Sequence, residues 1–403
     1  MEPVSLKSDI GRAVARWVTS ERKQVLARSL HAARRRTLRR AAVVHYFHQF
    51  DDPYSQLAAA HLQAFGQRYQ IEIRSHAVPP PGAAAAPQLE ALASWSHRDA
   101  DRWAMHYGLP MPRITSSPTG LGADPTALAS GMILRDKLGH YQGAMFYFEG
   151  EWYWGLDRLH FLEARLAEAG LAIDAQGPAF PPPSLQLQSV GTSERAPVLE
   201  FFCSLRSPYT WLATPRVREL TRHYGATLQL KFVLPMVMRG LPVPLDKRLY
   251  ILRDTKREAT RLGLPFGDVA DPVGPPTERG LAVLHHAIQH GCGPEFLESF
   301  LRGVFAEGID AGTQRGLLRI AARAGLGARE VDQALHDPSW RTLAEQHRTE
   351  LFASGLWGVP SFRVNGLPSL WGQDRLWMVE ADLLAARAER LPGNPNAMDG
   401  GDQ

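Results

Sequence analysis

Short apolar runs alternate with longer segments of helical spacing along the first part of the chain. Residues 41–48 (AAVVHYFH) are apolar and rich in β-branched residues just before a turn, which predicts a buried strand. Pro53 then suits the first turn of a helix, and residues 71–78 (IEIRSHAV) alternate as a second strand does. Residues 88–108 have helical spacing, and residues 144–154 predict a β-hairpin that leads into a last helix.

The second part of the chain repeats this order of elements. A strand, a helix, a second strand, a helical segment, a hairpin and a last helix are predicted at residues 198–202, from Pro208, 227–233, 247–263, 360–371 and from Asp374. Between about 278 and 357 this part has several further helices, where the first part has only about a dozen residues. The pattern therefore predicts a helical insertion in the second part, at about 236–357.

Specific residues recur at matching positions in the two parts. Pro53 and Pro208 are 155 positions apart, and the same offset relates Tyr54 to Tyr209, Asp99 to Asp254 and Arg102 to Arg257. A second match is that between the hexapeptides WGLDRL at 154–159 and WGQDRL at 371–376. We expect a tandem duplication. Matching residues then point to the shared fold, and chemically different residues at matching positions point to function.

The segment between the two parts has the composition of a linker. It contains Pro178, the triplet Pro181–Pro183 and a tail rich in Ser, Gln and Thr. The predicted organisation is a basic helical extension (1–40), a first, degenerate domain (41–170), a linker (171–197), a second domain (198–390) and a disordered tail (391–403).

Composition narrows the class of protein. A chain of 403 residues fits two domains or more, and 44% apolar with 21% charged residues is typical of a globular protein. No apolar run could span a bilayer and no secretory signal is evident, so we expect a cytoplasmic protein. The two cysteines, Cys203 and Cys292, form no CxxC motif, which argues against a dithiol redox centre.

Positive charge is concentrated at the start of the chain. Residues 1–40 contain 11 Lys or Arg and 3 Asp or Glu, including the run Arg34–Arg36 and the pair Arg39–Arg40. Such a run could contact nucleic acid or acidic lipid. A solvated helix face is the interpretation we favour, and we expect neither a nucleic-acid nor a membrane partner.

The order of strand, helix, strand, helical insertion, hairpin and helix is that of thioredoxin with an all-helical insert. Residues 198–390 resemble the 2-hydroxychromene-2-carboxylate isomerase family, which is grouped with kappa-class glutathione transferases and DsbA-like oxidoreductases. The resemblance is carried by four stretches, at 201–209, 247–265, 271–274 and 358–376. The fold class that it implies is α/β, with two thioredoxin-like domains in tandem, of which the second has the helical insertion.

Ser207 is the candidate catalytic residue. It precedes Pro208, so it should cap the first long helix of its domain, where unpaired N–H groups and the helix dipole favour a negative charge. In the thiol–disulfide relatives this position is a nucleophilic cysteine. The resemblance implies that Ser207 donates a hydrogen bond to the thiolate of bound glutathione. A plain helix cap is the alternative, but the first domain has Asp52 there, and its carboxylate would repel a thiolate.

Further glutathione contacts are implied by the resemblance alone. Pro360 would be a cis proline facing the site, and Val359 would pair its backbone with the cysteinyl part of glutathione. The first domain has Ala144 opposite Pro360 and so lacks this feature. Gln373 and Asp374 would hold the γ-glutamyl end, although a helix cap explains Asp374 equally well.

Lys247 and Tyr250 are the candidate substrate-binding residues. They lie three positions apart on one predicted helix, on the same face as Asp254. Lys247 has no charged counterpart in the first domain, so it is the better candidate for an anionic substrate or a glutathione carboxylate, whereas Tyr250 is undecided. Asp254 and Arg257 recur in the first domain and are expected to form a structural ion pair. No metal site is expected.

Two classes of function remain open. The first is a glutathione-dependent isomerase or transferase, in which the thiolate adds to an electrophilic carbon of a small, aromatic-derived substrate and is later expelled. The second is a non-catalytic thioredoxin-like scaffold, in which the first domain docks on the second as an internal pseudo-dimer, or the protein forms a homodimer. A DsbA-like thiol–disulfide oxidoreductase is disfavoured, because neither domain has paired cysteines.

Overall fold

The computed structural model of the chain describes residues 6–111, 124–174, 177–191 and 196–388. It contains two four-stranded sheets and fourteen α-helices within these ranges. The tail predicted for 391–403 lies outside the described residues. Within the described residues, no helix is both long enough and apolar enough to cross a membrane.

The chain begins with two helices, α1 (Leu6–Val18) and α2 (Glu21–Thr37). The first sheet and its helices follow: β1 (Val43–His48), α3 (Pro53–Gln67), β2 (Glu72–Ala77), α4 (Leu89–His106), α5 (Pro125–Lys137), β3 (Met145–Phe148), β4 (Glu151–Trp154) and α6 (Leu159–Glu168). A short 3₁₀ turn, Leu156–Arg158, leads into α6. The strands and helices predicted for the first part of the chain are confirmed.

The first sheet has the order β2-β1-β3-β4. The pair β1 and β2 is parallel, while β1 with β3 and β3 with β4 are antiparallel. Glu149 and Gly150 both have positive φ, of 45° and 91°, as a two-residue hairpin turn of this kind requires. The predicted hairpin is therefore confirmed at the predicted turn.

The second part of the chain consists of β5 (Val198–Cys203), α7 (Pro208–Tyr224), β6 (Thr227–Phe232), α8 (Leu245–Arg261), α9 (Pro275–Gln289), α10 (Gly293–Ala306), α11 (Gln314–Ala322), α12 (Ala328–His336), α13 (Trp340–Ala353), β7 (Ser361–Val364), β8 (Leu370–Trp371) and α14 (Leu376–Ala388). Its sheet has the order β6-β5-β7-β8, with the same parallel and antiparallel pairings as the first sheet. The helices α8–α13 lie between β6 and β7, where the helical insertion was predicted.

The register of the sheets fixes which residues correspond. Tyr46 is opposite Phe146 in the first sheet, and Phe201 is opposite Phe362 in the second. Ala144 and Pro360 therefore occupy equivalent positions, each accepting a hydrogen bond from a glycine N–H after the next strand, at 2.6 and 2.9 Å. The sequence alignment that placed Ala144 opposite Pro360 is confirmed.

The segment between the two sheets packs against both of them. The ring of Phe180 is buried and contacts the rings of Trp103 and Tyr107 in the first half. The backbone N–H groups of Gln186 and Leu187 donate to the Glu380 carboxylate in the second half, at 2.8 and 2.6 Å. The described part of this linker thus ties the halves together, and one buried apolar cluster extends through both.

Candidate functional site

Ser207 lies at the start of α7. It has an extended backbone (φ −99°, ψ 111°), and its Oγ accepts a hydrogen bond from the Thr210 N–H at 3.1 Å. Pro208 occupies the first helical position, where a missing N–H costs nothing. The predicted helix cap is confirmed, and it holds the Ser207 hydroxyl at the positive end of the helix dipole.

The Ser207 hydroxyl also faces the turn before β7. Its Oγ is 3.4 Å from the carbonyl oxygen of Val359, to which it donates. The Val359–Pro360 peptide bond is cis, the only cis bond in the described part of the chain. Ser207 and Val359 are half-buried and Pro360 is buried. The three residues that were expected to meet are therefore brought together.

The hydrogen bonds that Ser207 makes leave its hydroxyl proton available for donation to a ligand. The lone pairs of Oγ serve the Thr210 N–H, and the present acceptor of the proton is at the long end of the hydrogen-bonding range. Two neighbouring hydroxyls, Ser204 Oγ and Thr210 Oγ1, are buried without a hydrogen-bond partner within the described residues. Buried polar atoms normally find partners, so this corner of the protein has unused hydrogen-bonding capacity.

Asp374 and Gln373 form the 3₁₀ turn before α14, and their side chains already have partners. Asp374 Oδ2 accepts from Arg158 Nη1 at 2.9 Å, and a fifth of its side chain is exposed. Burial works to raise the pKa of Asp374, but Arg375 and Arg158 outweigh it and lower the pKa to about 2. The Gln373 side chain is buried between Arg216 and Glu258. Its contribution to a ligand site is thus limited to its backbone N–H.

Lys247 and Tyr250 lie on α8 at the boundary with the first half. Lys247 Nζ donates to the Ala85 carbonyl oxygen at 2.6 Å, and burial lowers its pKa. The Tyr250 ring packs edge-on against His140, with ring centroids 4.9 Å apart. Its hydroxyl is buried without a hydrogen-bond partner among the described residues, and burial raises its pKa. The first half therefore forms one wall beside both candidate residues.

The strongest polar contact between the halves is a reciprocal set of ion pairs. Arg158 of the first half donates to Asp254, at 2.9 Å, and to Asp374 of the second half. Arg375 of the second half donates to Asp99, at 2.9 Å, and to Asp157 of the first half, at 2.9 Å from Nη1. Both arginine side chains are at most 5% exposed. Equivalent residues thus exchange equivalent contacts, as in an interface with twofold symmetry.

This network changes the interpretation of Asp254 and Arg257. They were expected to form an ion pair with each other, and their charged atoms are 3.6 Å apart. The main partner of Asp254 is Arg158, however, and Tyr209 Oη also donates to it at 2.8 Å. Arg257 donates instead to the Trp152 carbonyl oxygen at 2.7 Å. The sequence analysis identified the repeated WG-x-DRL hexapeptide but gave its two arginines no role.

The corresponding corner of the first half is filled. Asp52 caps α3 by accepting from the Ser55 N–H and Oγ, at 2.9 and 2.7 Å. Burial raises the pKa of Asp52 to about 6, although the Ser55 hydrogen bonds oppose this shift. Gly143 stands where the second half has Val359, and a Cβ there would lie 2.5 Å from Gln49 Cβ. A side chain like that of Val359 does not fit at this position without displacing Gln49.

Other candidate chemistry is weaker. Cys203 is fully buried and burial raises the pKa of its thiol, which disfavours reactivity. His286 and His290 stack on each other with centroids 4.0 Å apart. In the described ranges, no group of three or more His, Cys, Asp or Glu side chains is arranged to hold a metal ion. Surface depressions of about 660 Å³ along α13 and about 380 Å³ beside β2 include none of the candidate residues.

Comparison with known proteins finds a matching family profile and relatives for the second half of the chain. Residues 198–384 match the family profile described as a DsbA-like thioredoxin domain. This match covers 187 of the 403 residues, and we refer to the second half as the DsbA-like domain. The 2-hydroxychromene-2-carboxylate isomerase of Sphingobium xenophagum is 22% identical over 198 residues, which are 46% of this chain and 97% of that protein.

Solved structures give the same picture of one half. The structure of 2-hydroxychromene-2-carboxylate isomerase is 18% identical and covers 47% of this chain and 95% of its own, with a TM-score of 0.41. The cytosolic disulfide reductase DsbM of Pseudomonas aeruginosa with GSH is 19% identical and covers 47% and 96%, with a TM-score of 0.36. The relatives of the DsbA-like domain thus include isomerases and oxidoreductases.

Proposed function

We propose that the DsbA-like domain is a glutathione-dependent isomerase or transferase that acts on an electrophile derived from an aromatic compound. The observation that carries this proposal is the position of the Ser207 hydroxyl. It lies at the positive end of α7, 3.4 Å from the Val359 carbonyl oxygen, with its proton free to turn toward a ligand. The resemblance of the domain to 2-hydroxychromene-2-carboxylate isomerase supports the same reaction class.

The residues present fit a peptide thiol that has one ammonium and two carboxylate groups. Because the Thr210 and Trp211 N–H groups already bond Ser207, the first turn of α7 offers an anion the Tyr209 N–H. The turn at Gln373–Asp374 offers further backbone N–H groups that suit an anion. The partly exposed Asp374 carboxylate suits the ammonium, and the Val359 backbone suits an extended peptide. The hydroxyls of Thr210 and Tyr250, which have no hydrogen-bond partner among the described residues, would supply further polar contacts.

Each residue then has a stated task. Bound glutathione would supply a thiolate that adds to an electrophilic carbon and leaves again after the rearrangement. Ser207 would donate its hydrogen bond to the sulfur, and the α7 dipole would favour the anion, as it does for a protein thiolate. Lys247 would hold an anionic group by exchanging its contact with the Ala85 carbonyl oxygen.

The test is glutathione-dependent turnover of 2-hydroxychromene-2-carboxylate and of an activated aryl halide. Ser207→Ala is expected to lower kcat by about 10²–10³, the usual cost of losing one hydrogen bond to a developing anion. Ser204→Ala is the matched control, because it removes a hydroxyl three residues away that has no partner. Unchanged kcat and KM in Ser207→Ala would remove Ser207 from the mechanism.

A non-catalytic scaffold is the second candidate, favoured by the partners that Asp374 and Lys247 already have. Calorimetry with millimolar glutathione separates the two candidates, since a scaffold would give no heat. A thiol–disulfide oxidoreductase is disfavoured, because the buried Cys203 has no second cysteine next to it in sequence.

We propose further that the two halves are copies of one ancestral domain, and that the first half replaces the partner subunit of a dimer. The shared strand order and the reciprocal ion pairs of Arg158 and Arg375 support this. Sedimentation velocity tests it: the full chain is expected to be a monomer, and a stable dimer through the same surfaces would contradict it.

A further inference from the structure

The helix α2 is held through one face, mostly by the first half, and Glu21 at its start also pairs with Lys256 of the second half at 2.9 Å. Gln24 and Arg28 donate to the Glu151 carboxylate, at 2.9 and 2.7 Å, and Arg35 pairs with Glu149. These three α2 residues recur at spacings of four and seven, so they share one side of the helix. None of the α2 residues is buried, so ion pairs rather than an apolar core hold this helix in place.

The opposite side of α2 is apolar at its centre and faces solvent. Leu26 and Leu30 are one turn apart and are 60% and 63% exposed. At 3.6 residues per turn, they lie on the side away from Gln24, Arg28 and Arg35. Trp17, at the end of α1, is 60% exposed and lies beside them, because Lys23 Nζ of α2 is 4.5 Å from its ring centroid. Single exposed leucines are ordinary, but an aligned strip of this kind is not.

Positive charges border this strip on both sides. At helical spacing, Lys23 and Arg34 fall on one side of Leu26 and Leu30, and Arg22 and Arg36 fall on the other. Arg39 and Arg40 continue the charge just after the helix. All six are exposed, and none forms an ion pair within the described residues. The arginines of the inner side, by contrast, have carboxylate partners.

We propose that this α2 outer face, formed by Trp17, Leu26, Leu30 and the six bases, binds the surface of anionic phospholipid bilayers. A helix with an apolar centre, basic flanks and an adjacent tryptophan has the composition of a helix that lies in the membrane interface. Lysine and arginine are attracted to anionic headgroups, while the apolar side chains enter the acyl boundary. The solvated face expected from the sequence would in that case be covered.

The chemistry of the face disfavours two other occupants. Nucleic acid would use the six bases through its phosphates but would leave the leucine strip exposed. A second copy of the chain, paired face to face, would bring like charges from the two α2 helices together. Of these three occupants, the anionic bilayer is the one that uses both the charges and the strip.

Co-sedimentation of the full chain with vesicles tests the proposal. We expect binding to vesicles of phosphatidylcholine with phosphatidylglycerol, none to phosphatidylcholine alone, and release by salt near ~0.5 M, where charges are screened within a few ångströms. Leu26→Ser/Leu30→Ser and Arg34→Gln/Arg36→Gln/Arg39→Gln should each lower the partition coefficient by about tenfold or more. The matched control, Arg222→Gln/Arg315→Gln/Arg329→Gln, removes the same charge elsewhere and should retain binding. Circular dichroism checks that each variant is folded.

Any of the following results would contradict the proposal. Failure of the unmodified chain to bind anionic vesicles at low salt would end it, as would equal loss in the charge control. Full vesicle binding by the leucine variant would mean contact through charge alone. Tight binding of an oligonucleotide that the leucine variant retains would identify nucleic acid as the occupant, and a dimer that this variant converts to a monomer would identify a second copy.

Discussion

The starts of α3 and α7 have nearly the same backbone and different chemistry. Their capping residues have φ and ψ of −100° and 118° at Asp52, and of −99° and 111° at Ser207. Each side chain accepts a hydrogen bond from the N–H three residues later. The fold therefore requires only a cap at this position, and the choice between carboxylate and hydroxyl is free to serve another purpose.

The packing and hydrogen bonding around the two capping residues also differ. Beside Asp52 the side chain of Gln49 approaches Gly143 closely, and Ala144 takes the place of Pro360. Beside Ser207 the Val359 carbonyl oxygen accepts only a long hydrogen bond, and the Thr210 hydroxyl has no partner among the described residues. One corner is closed and acidic, whereas the other has unused hydrogen-bonding groups. The difference teaches that, among the described residues, the hydroxyl groups on which the proposed ligand site depends belong to the second corner.

Exchanging the two caps should have the largest effect. Ser207→Asp introduces a carboxylate where the thiolate is proposed to sit, and we expect kcat for glutathione-dependent turnover to fall by at least about 10²–10³. Asp52→Ser keeps a cap in the first half and should leave turnover unchanged. Steady-state kinetics of both variants decide the point. Comparable losses in the two would mean that the halves do not differ in role.

The buried arginines test the symmetry of the halves through stability. Arg158→Met removes the main cationic partner of Asp254 and Asp374, and Arg375→Met removes that of Asp99 and Asp157. Each change should lower the free energy of unfolding by about 3–5 kcal/mol, because buried carboxylates lose their counter-charge. Denaturant titration measures the loss.

The exposed pair of Arg74 with Glu72 provides the control for this experiment. Arg74→Met should lower the free energy of unfolding much less than either buried arginine variant, because exposed ion pairs contribute little to stability. Losses for Arg158 and Arg375 no larger than that of the control would show that the network contributes nothing to the union of the halves.

The sequence predicts local features of the site well. The caps at Asp52 and Ser207 follow from a polar residue before proline, and both depend on contacts within three residues. The strands and the hairpin turn at Glu149–Gly150 follow from a period of two and from turn residues. These features depend on neighbours in the chain, so a single sequence is sufficient to predict them.

Contacts between the halves could not be predicted in this way. Arg158 meets Asp254 across 96 positions, and Arg375 meets Asp99 across 276. Periodicity shows which face a residue is on but does not show which face packs against it. The resemblance assigned Gln373 to the γ-glutamyl end of glutathione, and nothing in the sequence shows that its side chain donates to Glu258, 115 positions away. The repeated WG-x-DRL hexapeptide was the available signal, since its arginines recur with their aspartates.

The raised pKa of Asp52 predicts a pH dependence that belongs to the first half. Its folded pKa, about 6, exceeds the unfolded value of about 3.9. The protonated carboxyl therefore stabilises the fold below pH ~4, and this contribution of about 1–3 kcal/mol is lost as pH rises through about 6. Asp52→Asn, which stays neutral, should gain stability relative to the unmodified protein at pH ~8 but not at pH ~4.

Melting temperatures at the two pH values measure this difference. A relative gain for Asp52→Asn that is the same at both values would mean that the carboxyl does not titrate differently in the folded protein.

The smallest change in the free energy of unfolding is expected for Tyr250→Phe, and it is informative whether this change stabilises or destabilises the fold. The Tyr250 hydroxyl is buried without a partner among the described residues, whereas the hydroxyl of Tyr209, on the neighbouring helix, donates to Asp254. Tyr250→Phe removes an unsatisfied group and should change the free energy of unfolding by no more than about 0.5 kcal/mol, in the stabilising direction. Tyr209→Phe removes a hydrogen bond to a charged acceptor and should cost about 1.5–3 kcal/mol.

Measurements of turnover then show whether the Tyr250 hydroxyl binds substrate or has no role in the reaction. If the Tyr250 hydroxyl contacts substrate, Tyr250→Phe lowers kcat/KM by about tenfold while stability is retained, because an unmade hydrogen bond matters only when the ligand is bound. The first half has Trp95 at the equivalent position, with its ring 5.3 Å from that of Trp371 and no comparable hydroxyl. A stable Tyr250→Phe protein with unchanged kinetics would leave the wall between the halves without a role in substrate binding, and would confine the difference between them to Ser207.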